Sequence, residues 1–235
     1  MQDKVPEFNS LLEGSSPEVI IRFFAEKYTS KVCFSTSLGA EDQVLTRMVA
    51  ENAPMVKIFT LDTGRHFAET YETLDRTIKK YNLNIEIFFP DRQKVEDMVN
   101  KKGINLFYES IENRKLCCNI RKVEPLNRAL KGNEVWITGL RREQSVTRSN
   151  DRLVQLDEHH SIIKVNPLIE WTEDNVRDYL KQNKVPYNVL HDQGYPSIGC
   201  QPCTRAILPG EDVRAGRWWW ENPEMKECGI HKNSH

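Results

Sequence analysis

Cysteines are the residues of this sequence whose type and spacing point most directly to chemistry. Of the six cysteines, four form two pairs in the sequence, Cys117–Cys118 and Cys200–Cys203. Four thiolates in two pairs are able to hold a tetrahedral zinc ion or an iron–sulfur cluster. An adjacent pair fits a single zinc ion awkwardly, whereas a four-iron cluster offers a separate iron to each thiolate. The pattern therefore favours a cluster without excluding zinc.

A fifth cysteine, Cys228, lies alone in the polar segment KECGIHK, three residues before His231. A nucleophilic cysteine reacts as the thiolate, which nearby cations favour, and it must be accessible. The last part of the chain around this segment is locally basic, with Arg205, Arg214, Arg217, Lys226 and Lys232. We interpret Cys228 as a candidate nucleophile, although an incidental surface cysteine is the alternative. Cys33 is predicted to be a core residue of a strand.

Two glycine-containing turns follow predicted strands. SLGAED at 37–42 lies between a strand and a helix, and LDTG at 61–64 ends the next strand. In open parallel sheets, ligands bind outside the carboxyl ends of the strands, where a helix N-terminus also favours anions. Each turn alone is weak evidence, because many α/β connections contain one glycine. The first turn lacks the glycine spacing and the lysine of a Walker loop.

A third segment, GLRREQSVTR at 139–148, follows the fourth predicted strand and contains Arg141, Arg142 and Arg148. Arginine donates two parallel hydrogen bonds to phosphate or sulfate oxygens. A solvated charged loop is the ordinary interpretation of such a run. Because this loop should share a sheet edge with the other two turns, we expect it to bind an anion.

Strands that alternate with helices must position these turns. The pattern predicts an α/β fold with a mostly parallel sheet and helices on both faces. Predicted strands begin near Val32, at VKIFTL, at NIEIFF and at EVWITG, and IIKV adds another. From residue 185 the chain is rich in Pro, Gly and polar residues. We therefore expect an α/β domain at 1–183 and a C-terminal extension at 184–235.

The bulk composition limits the possible partners. The chain has 235 residues, with 33 basic and 34 acidic side chains and a formal net charge of -1. This balance does not favour nucleic acid or membrane surfaces as partners. No run approaches the roughly 20 apolar residues that a membrane helix needs, and the N-terminal segment has no apolar signal core. We expect a cytoplasmic protein, in which paired cysteines indicate metal or redox chemistry rather than disulfides.

Together, four motifs resemble one known family. They are CC at 117–118, YPSIGCQPCTR at 195–205, GRWWWE at 216–221 and KECGIH at 226–231. The combination resembles the assimilatory adenylylsulfate reductases, the thioredoxin-dependent, cluster-containing branch of the adenylylsulfate/phosphoadenylylsulfate reductase family. The resemblance implies an adenine nucleotide α-hydrolase-like fold of the PP-loop type and an oxidoreductase acting on a sulfur group. It also implies one 4Fe-4S cluster on the four paired cysteines.

The resemblance implies roles for individual residues. Cys228 would attack the sulfur of adenylylsulfate and form an S-sulfocysteine, from which thioredoxin or a similar dithiol would release sulfite. Lys122 matches a lysine beside the cluster. The first turn matches a modified PP-loop without the SGGxDS form, so ATP cleavage is not implied. The expected substrate contacts are Ser37, Gly39, Asp42, Leu61, Thr63, Gly139, Arg148, Arg214, Arg217 and His231.

Other functions remain possible at this stage. A dual-specificity enzyme would accept both adenylylsulfate and its 3′-phosphorylated form. A cluster-free phosphoadenylylsulfate reductase would lack the two cysteine pairs. A tRNA-thiolating PP-loop enzyme would be expected to keep an ATP-cleaving loop and a basic surface, and a zinc or iron–sulfur sensor would leave Cys228 without a role. A homo-oligomer is possible.

Overall fold

A six-stranded sheet forms the centre of the computed structural model, which describes residues 4–144 and 150–222. The strand order is β3-β2-β1-β4-β6-β5. All neighbouring pairs are parallel except β5 and β6, which are antiparallel. The predicted mostly parallel sheet is thus confirmed. The strands are β1 Val32–Ser35, β2 Lys57–Leu61, β3 Ile85–Phe88, β4 Val135–Ile137, β5 Val154–Asp157 and β6 Ile162–Val165.

Helices connect most of these strands and begin at recognisable caps. The Asp91 side chain accepts a hydrogen bond from Lys94 N at the start of α5, and Gly103 ends that helix with a φ of 83°. Thr172 caps α8 in a capping box with Asn175. The helices are α1 Lys4–Leu11, α2 Pro17–Tyr28, α3 Ala40–Asn52, α4 Ala68–Tyr81, α5 Arg92–Lys102, α6 Ile111–Cys118, α7 Glu124–Leu130 and α8 Glu173–Gln182. A π-helical turn, Asn119–Val123, joins α6 to α7.

The hydrophobic core lies on both faces of the sheet. One cluster packs α2 and α3 against the central strands, and a second includes Phe59, Leu126 and Trp136. Cys33 belongs to the second cluster and is buried, which confirms it as a core residue. Burial raises the pKa of Cys33 to about 12, so this thiol stays protonated.

The elements α1, α6 and β5 were not predicted from the sequence. Of these, α1 and β5 contact each other: Asn9 on α1 donates from Nδ2 to the Val154 carbonyl (2.8 Å) and accepts from Val154 N (3.1 Å). These side-chain bonds satisfy backbone groups of β5, which is at the edge of the sheet. A short edge strand paired through one distant asparagine has little periodicity for a sequence pattern to detect.

Residues 184–222 contact several helices: Gln43 on α3 donates to the Pro186 carbonyl at 2.6 Å, and Asn188 donates to Thr70 Oγ1 on α4 at 3.2 Å. Cys203 and Trp218 share a hydrophobic cluster with Met98, Phe107 and Cys118. The division at residue 183 therefore separates segments that share packing, and it stays a prediction. Among the described residues, no helix is both long enough and apolar enough to cross a membrane.

Candidate active site

A cleft of about 610 Å³ opens at the carboxyl ends of β1, β2 and β4. Such a volume is typical of a small-molecule site, and the position is where open α/β sheets bind ligands. The three segments singled out in the sequence meet there. Predicted substrate residues that line the cleft are Ser37, Gly39, Asp42, Leu61, Gly139, Arg214 and Arg217.

The first turn is held by its own side chains. Asp42 Oδ2 accepts hydrogen bonds from the backbone N–H and the hydroxyl of Ser37, both at 2.6 Å. Leu38 adopts a left-handed backbone with a φ of 62°, and its N–H donates to Thr36 Oγ1 at 3.1 Å. A non-glycine residue in this region is strained and persists only where neighbours fix it, which is common at functional sites.

Gly139 brings the end of β4 directly against this turn. A Cβ atom at position 139 would lie 2.2 Å from Asp42 Oδ1 and 3.2 Å from Glu41 Cβ. Only glycine allows so close an approach of the backbone. The β4 end and the 37–42 turn therefore form one continuous wall of the cleft.

Carboxylates neutralise the described arginines of the third segment. Arg141 is buried, and its Nε donates to Glu41 Oε1 at 2.9 Å. Arg142 forms an ion pair with Glu170. Both described arginines of this loop are thus already paired with carboxylates, although Arg141 lines the cleft, and anion binding by the loop stays a prediction. The first turn of α3 is also acidic, so this wall suits the neutral part of a ligand better than its anion.

The end of the cleft next to Cys200 is cationic, because the charges of Lys122 and Arg217 both act on that thiol. Arg214, whose carbonyl accepts from Arg217 N at 2.9 Å, lines the cleft as well. The Arg217 guanidinium is mostly buried, and its Nη1 donates to Ser197 Oγ at 3.4 Å. A Cβ at Gly199 would lie 2.4 Å from Arg217 Nη2, so this guanidinium lies flat against the glycine backbone. Three cations at one end predict that the anionic group of a ligand binds there.

Two histidines that the sequence did not assign also line the cleft, His66 and His191. His66 Nε2 lies 3.0 Å from the Leu61 carbonyl, and His191 Nδ1 lies 2.9 Å from the Tyr195 carbonyl. Because a carbonyl only accepts, these two nitrogens carry the protons. Burial lowers the pKa of both histidines. Both are therefore neutral donors near pH 7.

The four paired cysteines line a second, smaller pocket of about 20 Å³ next to the cleft. Cys117 and Cys118 lie at the end of α6, whereas Cys200 and Cys203 lie in the loop that follows α8. The Cys203 N–H donates to the Cys200 carbonyl at 2.9 Å. The two cysteine pairs thus meet in one pocket, although the 81 residues from 119 to 199 separate them along the chain.

Cations surround this cysteine pocket. Arg65, Arg114, Arg121 and Lys122 line it, and Lys122 borders the larger cleft as well. Arg121 Nη1 donates to the Thr63 carbonyl at 2.6 Å, which joins the π-helical turn after α6 to the turn after β2. The donor set and the positive surroundings fit a group bound by thiolates, whose charge the cations would offset.

The four thiols differ in acidity. Burial alone would raise the pKa of Cys200. Neighbouring groups lower it by more, chiefly the charge of Lys122 and the hydrogen bond with Thr63, so the pKa of Cys200 is lowered overall. Burial and the neighbouring Cys200 raise the pKa of Cys203 to about 12. Within residues 4–144 and 150–222, no three His, Cys, Asp or Glu side chains are placed to hold a single metal ion.

Thr63 lies elsewhere than its predicted place. It is not part of the cleft lining, and its hydroxyl lies 3.3 Å from Cys200 Sγ. The chain turns after Leu61, so the Thr63 hydroxyl points to Cys200 and not into the cleft. Arg148, Cys228 and His231 lie outside the described residues.

The mostly parallel sheet, with a cleft at the carboxyl ends of its strands, defines an α/β protein of the class that binds small molecules at that edge. The phosphoadenosine phosphosulfate reductase domain model matches residues 31–206. The chain therefore belongs to that reductase family, which confirms the predicted family and the prediction of an enzyme.

Individual relatives agree with this assignment. The chain is 51% identical over 201 residues to an adenosine 5′-phosphosulfate reductase of Allochromatium vinosum, covering 86% of this chain and 78% of the relative. It is 55% identical over 201 residues to the protein of the same name from Burkholderia cepacia, covering 86% and 80%.

Solved structures show the same fold. A phosphoadenylyl-sulfate reductase of Candida auris, in a phosphate complex, aligns with a TM-score of 0.76 and 29% identity over 88% of this chain and 98% of that chain. An FMN adenylyltransferase of Candida glabrata aligns with a TM-score of 0.56 and 16% identity, covering 96% and 83%. The second likeness concerns the fold alone.

Proposed function

We propose that this protein reduces adenylylsulfate to sulfite and AMP, as the names of its relatives suggest. The observation that carries the proposal is the adjacency of two sites. A nucleotide-sized cleft with a cationic end borders a pocket of four cysteines, and Lys122 lines both. Among the alternatives, a phosphoadenylylsulfate reductase without the cysteine pairs has no use for the second pocket.

The cleft is polarised along its length, which orients the substrate. The nucleoside lies against the wall formed by the 37–42 turn and Gly139, where paired carboxylates and backbone groups leave no excess cation. The phosphosulfate lies against Lys122, Arg214 and Arg217, which offset its charge so that an anionic nucleophile can approach. Arg148 and His231 are proposed to add contacts to the same group.

Cys228 is the proposed nucleophile. Its thiolate attacks the sulfur of adenylylsulfate, an S–S bond forms, and the bond from sulfur to the phosphate oxygen breaks so that AMP leaves. A thiolate of thioredoxin or a similar dithiol then attacks Cys228 Sγ, and sulfite leaves with the electron pair of the S–S bond. The second thiol of the partner cleaves the mixed disulfide and restores Cys228. The dithiol thus supplies the two electrons of the reduction.

The four cysteines are the proposed ligands of one 4Fe-4S cluster, held between the end of α6 and the 200–203 loop. When bound, the cluster supplies a compact charged group beside Lys122 and is not proposed to transfer electrons to the substrate. The cationic surroundings support thiolate ligation here, because they contribute to lowering the pKa of Cys200 in spite of its burial. Lys122, which borders both sites, is proposed to hold the phosphosulfate next to this centre.

The proposed function is tested by comparing two substrates. Anaerobically purified full-length protein is given reduced thioredoxin with either adenylylsulfate or its 3′-phosphorylated form, and sulfite is measured. Strong preference for adenylylsulfate is expected. Equal rates would instead establish the dual-specificity alternative, and no sulfite from either substrate would overturn the proposal.

The reaction needs a reducing compartment that supplies the dithiol, for which we propose the cytoplasm. Residues 184–235 are proposed to act as an extension that brings Cys228 to the cleft and then to the dithiol partner. The proposed movement would let one thiol meet first the bound nucleotide and then an external dithiol.

A further inference from the structure

Trp218 lies between the cysteine pocket and the cationic end of the cleft. The guanidinium carbons of Arg114 and Arg217 both lie over its ring, each 4.7 Å from the centroid. The side chain is 2% exposed, and its Nε1 has no hydrogen-bond partner among the described residues. Stacking and packing therefore fix the ring within the described part of the chain.

The Arg114 end of this stack is rigid. Arg114 donates from Nε and Nη2 to the two carboxylate oxygens of Glu221, at 2.9 and 2.7 Å. Both side chains are almost fully buried, at 0% and 3% exposure. A bidentate pair of this kind fixes the plane of the guanidinium. Arg114 lies on α6, one helical turn before Cys118, so its plane is tied to the cysteine helix.

The backbone of Trp218 is tied to the other cysteine pair. Its N–H donates to the Cys203 carbonyl at 3.1 Å, and its own carbonyl accepts from Glu221 N at 2.8 Å. Its φ is 41°, a left-handed conformation that is strained for a bulky residue. Such a conformation persists where several contacts impose it, and it often marks a functional position.

The Arg217 end of the stack reaches the cleft, whose lining also includes Trp218. Its guanidinium lies against the Gly199 backbone, where an added Cβ would be 2.4 Å from Nη2, and Nη1 donates to Ser197 Oγ at 3.4 Å. Arg217 lines the cationic end of the cleft. The ring of Trp218 is thus one of three groups that set the position of this guanidinium.

We propose that Trp218 is a positioning residue that holds the Arg217 guanidinium where it binds the phosphosulfate, and that Arg114 fixes Trp218. This inference rests on the proposed function. It gives the cysteine pocket a role in substrate binding, because both cysteine pairs contact the stack, one through Arg114 and the other through the Trp218 backbone. Neither Trp218 nor Arg114 is expected to touch the reacting atoms.

The test is a double-mutant cycle on the full chain in the Cys228→Ser background, which prevents turnover. The affinity for adenylylsulfate is measured by calorimetry for Trp218→Leu, Arg217→Ala and the combination. Trp218→Leu is expected to weaken binding about tenfold, the size of a desolvated cation–π contact. In the Arg217→Ala background the same change is expected to cost less than about twofold, because the residue acts through Arg217.

Further variants separate positioning from a general loss of structure. Gly199→Ala displaces the same guanidinium from its other side and should weaken binding in the same Arg217-dependent way. Trp218→Phe should recover part of the affinity, and Arg114→Lys, which keeps the charge but loses the planar fork, should resemble Trp218→Leu. Trp219→Leu changes the neighbouring, 40% exposed indole and should leave affinity unaltered.

The outcomes distinguish this inference from the proposed function. Additive losses in the cycle, or an effect of Trp218→Leu that persists without Arg217, would overturn the inference while leaving substrate binding intact. If the Cys228→Ser protein fails to bind adenylylsulfate at all, the proposed function fails and the inference falls with it. If Trp218→Leu folds poorly, the Gly199→Ala variant provides the test instead. Its iron content and melting temperature are compared with those of the wild type to show that it is folded.

Discussion

At the scale of the residue, Gly139 illustrates how tightly the cleft wall is built. Its Cα lies so close to Asp42 that an added methyl group would overlap Oδ1 at 2.2 Å. The Asp42 carboxylate already accepts two hydrogen bonds from Ser37. The geometry of the wall thus depends on a missing side chain as much as on those present.

Gly139→Ala should therefore disrupt the wall. We expect a loss of about 1–3 kcal/mol in the free energy of unfolding, the usual cost of overpacking, together with weaker adenylylsulfate binding. Urea denaturation and calorimetry measure the two effects. Gly39→Ala is the matched control, because its Cβ would meet only Ser37 Oγ, at 3.3 Å, and should cost less. Equal losses in both variants would contradict this account.

Cys228→Ser separates the proposed nucleophile from the cysteine pocket. We expect sulfite formation to be abolished, because a serine hydroxyl at neutral pH is a far weaker nucleophile than a thiolate. Iron content, the visible absorbance of the purified protein and nucleotide affinity should stay as in the wild type. Loss of the chromophore in this variant would contradict the division of roles between Cys228 and the other cysteines.

At the scale of the element, strands and turns were more predictable than the contacts between them. Periodicity located β1–β4 and β6, and the convergence of their turns followed because parallel strands end at one edge of the sheet. The ion pairs of Arg141 and Arg142 were not predictable, because their partners Glu41 and Glu170 are distant in sequence. The cleft positions of His66 and His191 likewise depend on packing.

Helix α6 is joined to the C-terminal segment by the buried Arg114–Glu221 pair. Glu221→Ala leaves the Arg114 charge buried without this carboxylate, and we expect it to destabilise the protein by about 3–5 kcal/mol. Chemical denaturation measures the loss. Glu173→Ala is the control, since the Arg177–Glu173 pair is exposed and should contribute less than about 1 kcal/mol. A loss for Glu221→Ala as small as that of the control would show that the pair is not a structural link.

At the scale of the whole molecule, the two buried histidines make stability depend on pH. The pKa of His66 and of His191 is lowered in the folded state, whereas the unfolded value is about 6.5. The unfolded chain therefore binds more protons in the window below about pH 6.5. We expect the contribution of these two histidines to the free energy of unfolding to be fully present above that pH. It should be lost as the pH falls through their lowered pKa values.

Urea midpoints measured across this window test the expectation. His66→Gln should flatten the pH dependence, because it removes one of the two histidines whose pKa is lowered by burial. An unchanged slope for His66→Gln, with the fold intact, would mean that protonation of this residue is not coupled to unfolding.

The central claim is that one thiol, Cys228, takes the sulfuryl group from a nucleotide bound in the cleft. The most direct measurement is the intact mass of the full-length protein after incubation with adenylylsulfate in the absence of any dithiol. The account predicts a gain of one SO₃ group that maps to Cys228, with release of one equivalent of AMP and loss of the adduct when reduced thioredoxin is added. An adduct on another residue, or AMP and sulfite formed without any adduct, would contradict it.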